Sequence, residues 1–240
     1  MLDSISYLVY FLGPFLLAIF LGKRLLKAQY TAFFAGLLTF FVAWVVILVI
    51  TTSAVMYVKD ALLYSGIVAA SAGVFEESSR FFAFRIFKKL RETKNWNTGI
   101  MFAIGHSGME SIIVGGSLLL TIAVVTYAPE LLSEEVLGEA QAVLETGFLQ
   151  GLYSALERLF VGLLIHSCFT CVVLMSFAQR RYVLVAVLWH FAHDMVGLNL
   201  HYISDHWIAA KLWVLFIVVV YSWILFRLKK RMIIETMERV

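Results

Sequence analysis

Seven apolar runs, each about 20 residues or longer, fill most of the chain: about 5–22, 32–58, 61–87, 97–125, 150–177, 181–203 and 207–226. That length is what an α-helix needs to cross the roughly 30 Å hydrocarbon core of a bilayer. In lipid a spanning segment must satisfy its own backbone, and long continuous runs, unlike short alternating ones, select helices over a barrel. The expectation is an all-α polytopic membrane bundle of about seven transmembrane helices. Composition agrees, because a chain that is 62% hydrophobic and only 15% charged is too apolar for an ordinary soluble domain. With two prolines and no repeat, linker or low-complexity tract, residues 1–240 read as a single integral membrane domain. The first run lacks a basic leader and a small-residue cleavage site, so it is expected to stay as a spanning helix.

Lys and Arg alternate by side. Lys23, Arg24 and Lys27 follow the first run; Arg85, Lys88, Lys89, Arg91 and Lys94 the third; Arg180 and Arg181 the fifth; Arg227, Lys229, Lys230 and Arg231 the seventh. The other side offers Lys59 and Lys211, so the positive-inside rule places the N-terminus outside and the C-terminus in the cytoplasm. The net charge of +3 is thereby explained by topology, and nucleic acid is not an expected partner. On the outer side, about 128–149, lies an acidic connector in which Ser133 reads as a helix start. Leu132, Val136, Leu137, Val143 and Leu144 would form its apolar face, suited to resting on the lipid surface or to gating access.

The ionisable residues inside the runs carry the chemistry. An ionised group at bilayer depth costs at least about 2.5–3.5 kcal/mol, so such groups normally face the bundle interior and mark function. The third run contains Glu76, Glu77 and Arg80; the fourth His106 and Glu110; the fifth Glu157, Arg158 and His166; the sixth His190, His193 and Asp194. At about 1.5 Å rise per residue, Glu76, His106, Glu110, His166, His190 and Asp194 fall in one layer roughly 6 Å thick. Glu76 and Arg80, His106 and Glu110, and His190 and Asp194 are each four apart, which turns one polar edge of each helix inward. Glu157 and Arg158 lie nearer the outer face and read as a structural ion pair. Cys168 and Cys171 read as small hydrophobes packing on a helix.

A carboxylate in apolar surroundings, offset by Arg80, could take a proton from water, while imidazoles orient that water or donate to an oxyanion. Ser78, Ser79 and Ser107 have no nucleophile elbow, so a serine mechanism ranks low. Zinc held by His106, His166 and His190 with Glu76 is the competing chemistry, but the His-Glu-x-x-His arrangement is absent, and the favoured expectation is no cofactor.

"EESSR", "FAIGH" and "HFAHD" resemble, in order, the paired-glutamate, Phe-x-x-x-His and His-x-x-x-Asn/Asp motifs of the clan of CAAX prenyl endopeptidases and bacteriocin-processing membrane proteases. Within that clan the chain most resembles the bacterial YhfC-like predicted intramembrane proteases, with PrsW proteases as cousins, over about residues 61–203. The resemblance implies a multi-pass bacterial cell-membrane endopeptidase acting on a membrane-anchored peptide or protein. It assigns Glu76 to water activation, with His106 helping to hold the water. His190 and Asp194 would stabilise the tetrahedral intermediate, and Glu77 and Arg80 would support Glu76. With Glu110 added from the polar layer, these seven are the candidate catalytic residues. Arg80 follows Glu76 by four positions where the prenyl proteases use five, and Asp194 replaces Asn. An ionised Asp194 cannot donate to an oxyanion, so it must be protonated, orient a histidine or bind a metal. The same acids and imidazoles would also suit a transporter or proton-coupled carrier, although no repeat or pair of broken helices is visible. A purely binding role would survive loss of Glu76.

Overall fold

The computed structural model describes residues 4–134, 136–138, 141, 148–203 and 207–237. Among them the long elements are α1 (Ser4–Leu21), α2 (Tyr30–Tyr57), α3 (Ala61–Ile86), α5 (Trp96–Tyr127), α6 (Phe148–Met175), α7 (Arg181–Ile203) and α8 (Trp207–Met237), with a short α4 (Lys88–Glu92) after α3. No strand occurs among the described residues. Two starts are fixed by side chains: Asp60 Oδ1 accepts from Leu63 N at 2.7 Å, and Asn95 Oδ1 from Thr98 N at 3.0 Å. These bonds satisfy amide donors that the first turn leaves free.

Six helices (α1, α2, α5, α6, α7, α8) are long and apolar enough to cross a membrane. The expected seventh, α3, is comparably long at 26 residues but too polar to qualify by composition, since it carries Glu76, Glu77, Arg80 and Arg85. It lies along α2 and α7 with Glu77 and Arg80 wholly buried. Large apolar side chains such as Phe34, Leu38, Val49, Leu120, Leu188 and Trp223 point outward, an apolar exterior of the kind lipid covers. Basic residues gather at one end of the bundle. There Lys94 Nζ lies 4.2 Å from the Phe177 ring, and Arg231 Nη1 donates to Tyr182 Oη at 2.8 Å. Of the acidic connector, the turn beginning at Ser133 is described, with Val136 N donating to Ser133 Oγ at 3.3 Å. Val143 and Leu144, two of the five residues of the expected apolar face, lie outside the described residues.

Close backbone approach fixes the core. At the α2–α5 crossing, a Cβ on Gly105 would sit 1.9 Å from Phe33 O and one on Gly36 would sit 2.1 Å from Phe102 O. Neither neighbour can move, because both are helix carbonyls. The α3–α7 crossing repeats the device, with a Gly73 Cβ 2.8 Å from Val187 O. Such contacts let helices approach closely where lipid supplies no hydrophobic drive. Gly105→Ala is expected to lower unfolding stability in detergent by about 1–3 kcal/mol, through overpacking that forces α2 and α5 apart. A denaturation series against wild type checks this, and unchanged stability would mean the crossing is looser than described. Cys168 and Cys171 are buried free thiols, Cys168 donating to Tyr221 O at 3.3 Å, in keeping with the packing role expected of them.

Candidate active site

The Gly73 crossing brings the charged turn of α3 against α7, and the Gly36–Gly105 crossing sets His106 beside it. The polar groups then meet. Arg80 is the hub: one Nη donates to Glu77, and Nη2 reaches Glu76 Oε2 at 3.2 Å and His166 Nδ1 at 2.6 Å. His106 Nε2 lies 3.0 Å from Glu76 Oε2, and His166 Nε2 lies 2.8 Å from Glu110 Oε2. His190 stands between two carboxylates, with Nδ1 2.6 Å from Glu77 Oε1 and Nε2 3.4 Å from Asp194 Oδ2. All seven candidate catalytic residues and His166 therefore belong to one network contributed by α3, α5, α6 and α7.

Partner identity differs from the helix-face expectation in two places. His106 and Glu110 share a face but do not pair with each other: His106 meets Glu76, and Glu110 meets His166. Glu157 and Arg158 do not pair either. Arg158 Nη1 donates to Glu110 Oε1 at 2.7 Å, while Glu157 Oε2 lies 3.8 Å from Lys211 Nζ. Neighbours in sequence point apart around a helix, so two helices to either side claim them.

Aromatic side chains hold the imidazoles. Phe169 stacks on His190 at 4.5 Å and 16°, and Phe40 meets His106 edge-on at 5.0 Å. His193 faces Tyr221 Oη at 2.9 Å instead of Asp194. These partners, and Thr39 Oγ1 at 3.5 Å from His106 Nδ1, sit in apolar runs where no sequence signal separates them from ordinary packing.

A cavity of about 510 Å³ reaches the network. Glu76, Glu110, His166, His190 and Asp194 line its inner part, and Tyr10, Val114, Ser154, Glu157 and Gly197 lie farther from the basic end of the bundle. Glu77, Arg80 and His106 are fully buried behind it. Glu76, His106 and His166 each offer a ligand atom, and the three atoms lie within 4.8 Å of one another. Two nitrogens and one oxygen form a donor set of the kind that holds catalytic zinc with one position left open. His190 is outside that group, which narrows the expected four-residue set to three. Arg80 Nη2 contacts two of these three residues, so the guanidinium competes with a metal ion for their lone pairs.

A buried acid–imidazole site at the inner end of a cavity, on a bundle built for lipid, agrees with what comparison with known proteins finds. The profile of the family described as "YhfC intramembrane metalloprotease" matches residues 8–219. The chain belongs to the YhfC family. It is also similar to "Uncharacterized membrane protein YhfC" of Bacillus subtilis (strain 168), 32% identical over an alignment of 133 residues that covers 52% of this chain and 50% of that relative. The chain thus spans about half the length of the curated relative it matches. No solved structure matches it. YhfC membership makes this a multi-pass membrane protein of a family described as proteases. It also displaces the expectation of no cofactor, because the family is described as metal-dependent and three buried donors could accept a metal ion.

Proposed function

We propose that the chain is a membrane-embedded endopeptidase that hydrolyses a peptide bond in a membrane-associated peptide or protein, with water activated at Glu76. The observation that carries this reading is the meeting of Glu76, His106 and His166, from three helices, at the buried end of the cavity. The description of the YhfC family as proteases supports it over a transporter. The motif resemblance favours kinship with the CAAX and PrsW proteases. Orientation follows the basic end, which belongs in the cytoplasm by the positive-inside rule, with α3 as a seventh crossing shielded by α2 and α7. Substrate then approaches through the half of the bundle that carries Tyr10, Ser154 and Glu157.

Glu76, His106 and His166 would hold the metal ion. Bound there, a metal would supply Lewis acidity and lower the pKa of water. The protein's own groups divide the remaining tasks. Glu76 faces the cavity beside Arg80, which offsets its charge. His190 has a carboxylate at each ring nitrogen, so it is the group placed to carry a proton to the developing oxyanion or the departing amine. Asp194 orients His190 from the cavity side, the role left to an aspartate where a donor amide would otherwise stand. Where it is not engaged as a ligand, Glu76 accepts the proton of the attacking water.

Purified protein is expected to retain about one divalent ion per chain by elemental analysis. Stripping with a chelator should abolish cleavage of a pool of quenched fluorescent transmembrane peptides in reconstituted vesicles, and zinc should restore it. Cleavage at the wild-type rate by metal-stripped protein would assign the metal-free glutamate mechanism instead.

A further inference from the structure

Arg158 is the only Arg or Lys among the described residues lining the cavity, and the proposed chemistry does not use it. It stands two helical turns from His166 on the same face of α6, about 12 Å along the axis at 1.5 Å per residue. The structure bridges that gap with one side chain from α5. Glu110 lies across it with its oxygens divided, Oε1 accepting from Arg158 Nη1 at 2.7 Å and Oε2 facing His166 Nε2 at 2.8 Å. Midway between, at i+4 from Arg158 and i−4 from His166, stands Gly162. A Cβ built there would already be 4.0 Å from Glu110 Oε2. A long side chain at 162 would occupy the space in which the carboxylate lies.

The proton positions follow from the partners. Arginine only donates, so the contact from Arg80 Nη2 requires a lone pair on His166 Nδ1. A neutral imidazole then carries its hydrogen on Nε2 and donates it to Glu110. The ring is thereby fixed with its lone pair on Nδ1, on the side away from Glu110, the nitrogen left to serve as a ligand atom. Glu110 is partly exposed to the cavity, and a carboxylate held by one bond at a cavity wall is free to rotate away. Arg158 supplies the second bond.

We propose that Arg158 and Glu110 are positioning residues that act through His166, with Gly162 as the slot that admits the Glu110 carboxylate. This assignment rests on the metallopeptidase reading for its purpose, but not for its test. A carboxylate behind a metal-binding histidine fixes ring orientation and basicity, and losing it typically lowers metal affinity 10–100-fold.

The test uses full-length, metal-free protein labelled with ¹⁵N-histidine in detergent, the His166 signals being those lost in His166→Gln. Wild type should show a downfield, slowly exchanging Nε2–H at His166. Arg158→Gln and Gly162→Leu should each lose that resonance to exchange with water, and Arg158→Lys should retain it. Zinc affinity, measured by competition with a chromogenic chelator, should fall 10–100-fold in the first two variants and recover in the third. The double variant Arg158→Gln/Glu110→Ala should bind zinc no more weakly than Glu110→Ala alone, because Arg158 acts only through Glu110. An unaltered Nε2–H signal with wild-type zinc affinity in Arg158→Gln overturns the assignment. So does a rise in KM at constant kcat, which would make Arg158 a substrate contact. The spectroscopic arm needs no turnover, so failure of the peptidase reading would leave it standing, and its own failure would leave the peptidase reading untouched.

Discussion

Glu76→Gln is expected to lower peptide cleavage by about 10²–10⁴-fold, the range over which positioned proton transfer contributes to enzymatic rates. Glutamine keeps the length and shape of the side chain, and its amide oxygen can still accept from Arg80 Nη2, which lies 3.2 Å from the carboxylate in the wild type. It cannot take a proton from water, and it is a poor metal ligand, so both forms of the mechanism predict the loss. Stability should change little, because Arg80 and Glu77 remain as a neutral buried pair. The assay is initial cleavage rate in reconstituted vesicles, run beside a thermal melt and elemental analysis. Wild-type turnover by Glu76→Gln would remove Glu76 from the chemistry and with it the proposed site. Lost turnover with full zinc content would make Glu76 the base; lost turnover with lost zinc would make it a ligand.

Depth was the most legible property of the site. Counting from the basic end of each run placed six polar groups in one layer, and the structure brings all six into one network, because the rise of an α-helix is constant and long runs must cross together. Helix faces were legible for the same reason. Neighbours were not. Spacing gives the direction in which His106 points along its own helix but not which helix stands opposite, so Glu76 as its partner could not be chosen over Glu110. Arg158 was misassigned on adjacency in sequence to Glu157, although adjacent helical residues diverge by about 100°. The crossings that decide the neighbours depend on Gly36, Gly73 and Gly105, and in an apolar run a glycine at a crossing looks like any other. Phe40 and Phe169, which hold two of the imidazoles, are invisible among twenty phenylalanines for the same reason.

Arg80→Met should destabilise the folded protein by about 3–5 kcal/mol, the usual result of leaving a buried charge without its partner. Methionine approximates the length of the arginine stem and fills much of its volume, so packing changes little and the electrostatic loss dominates. Arg80 is wholly buried and is the cation that Glu76, Glu77 and His166 share. Without it, two adjacent carboxylates face apolar surroundings. Denaturant unfolding in detergent measures the loss. The decisive control is Arg80→Met/Glu77→Gln: removing the charge that lost its partner should recover a substantial part of the stability, a non-additivity expected for residues in direct contact. If Arg80→Met unfolds like wild type, the guanidinium is not what permits acidic groups in α3. If the double variant is as unstable as the single, the loss came from packing. The expected recovery would explain why a helix among lipid-facing neighbours carries Glu-Glu-x-x-Arg: the arginine lets two carboxylates exist at that depth, and one of them, Glu76, reaches the cavity.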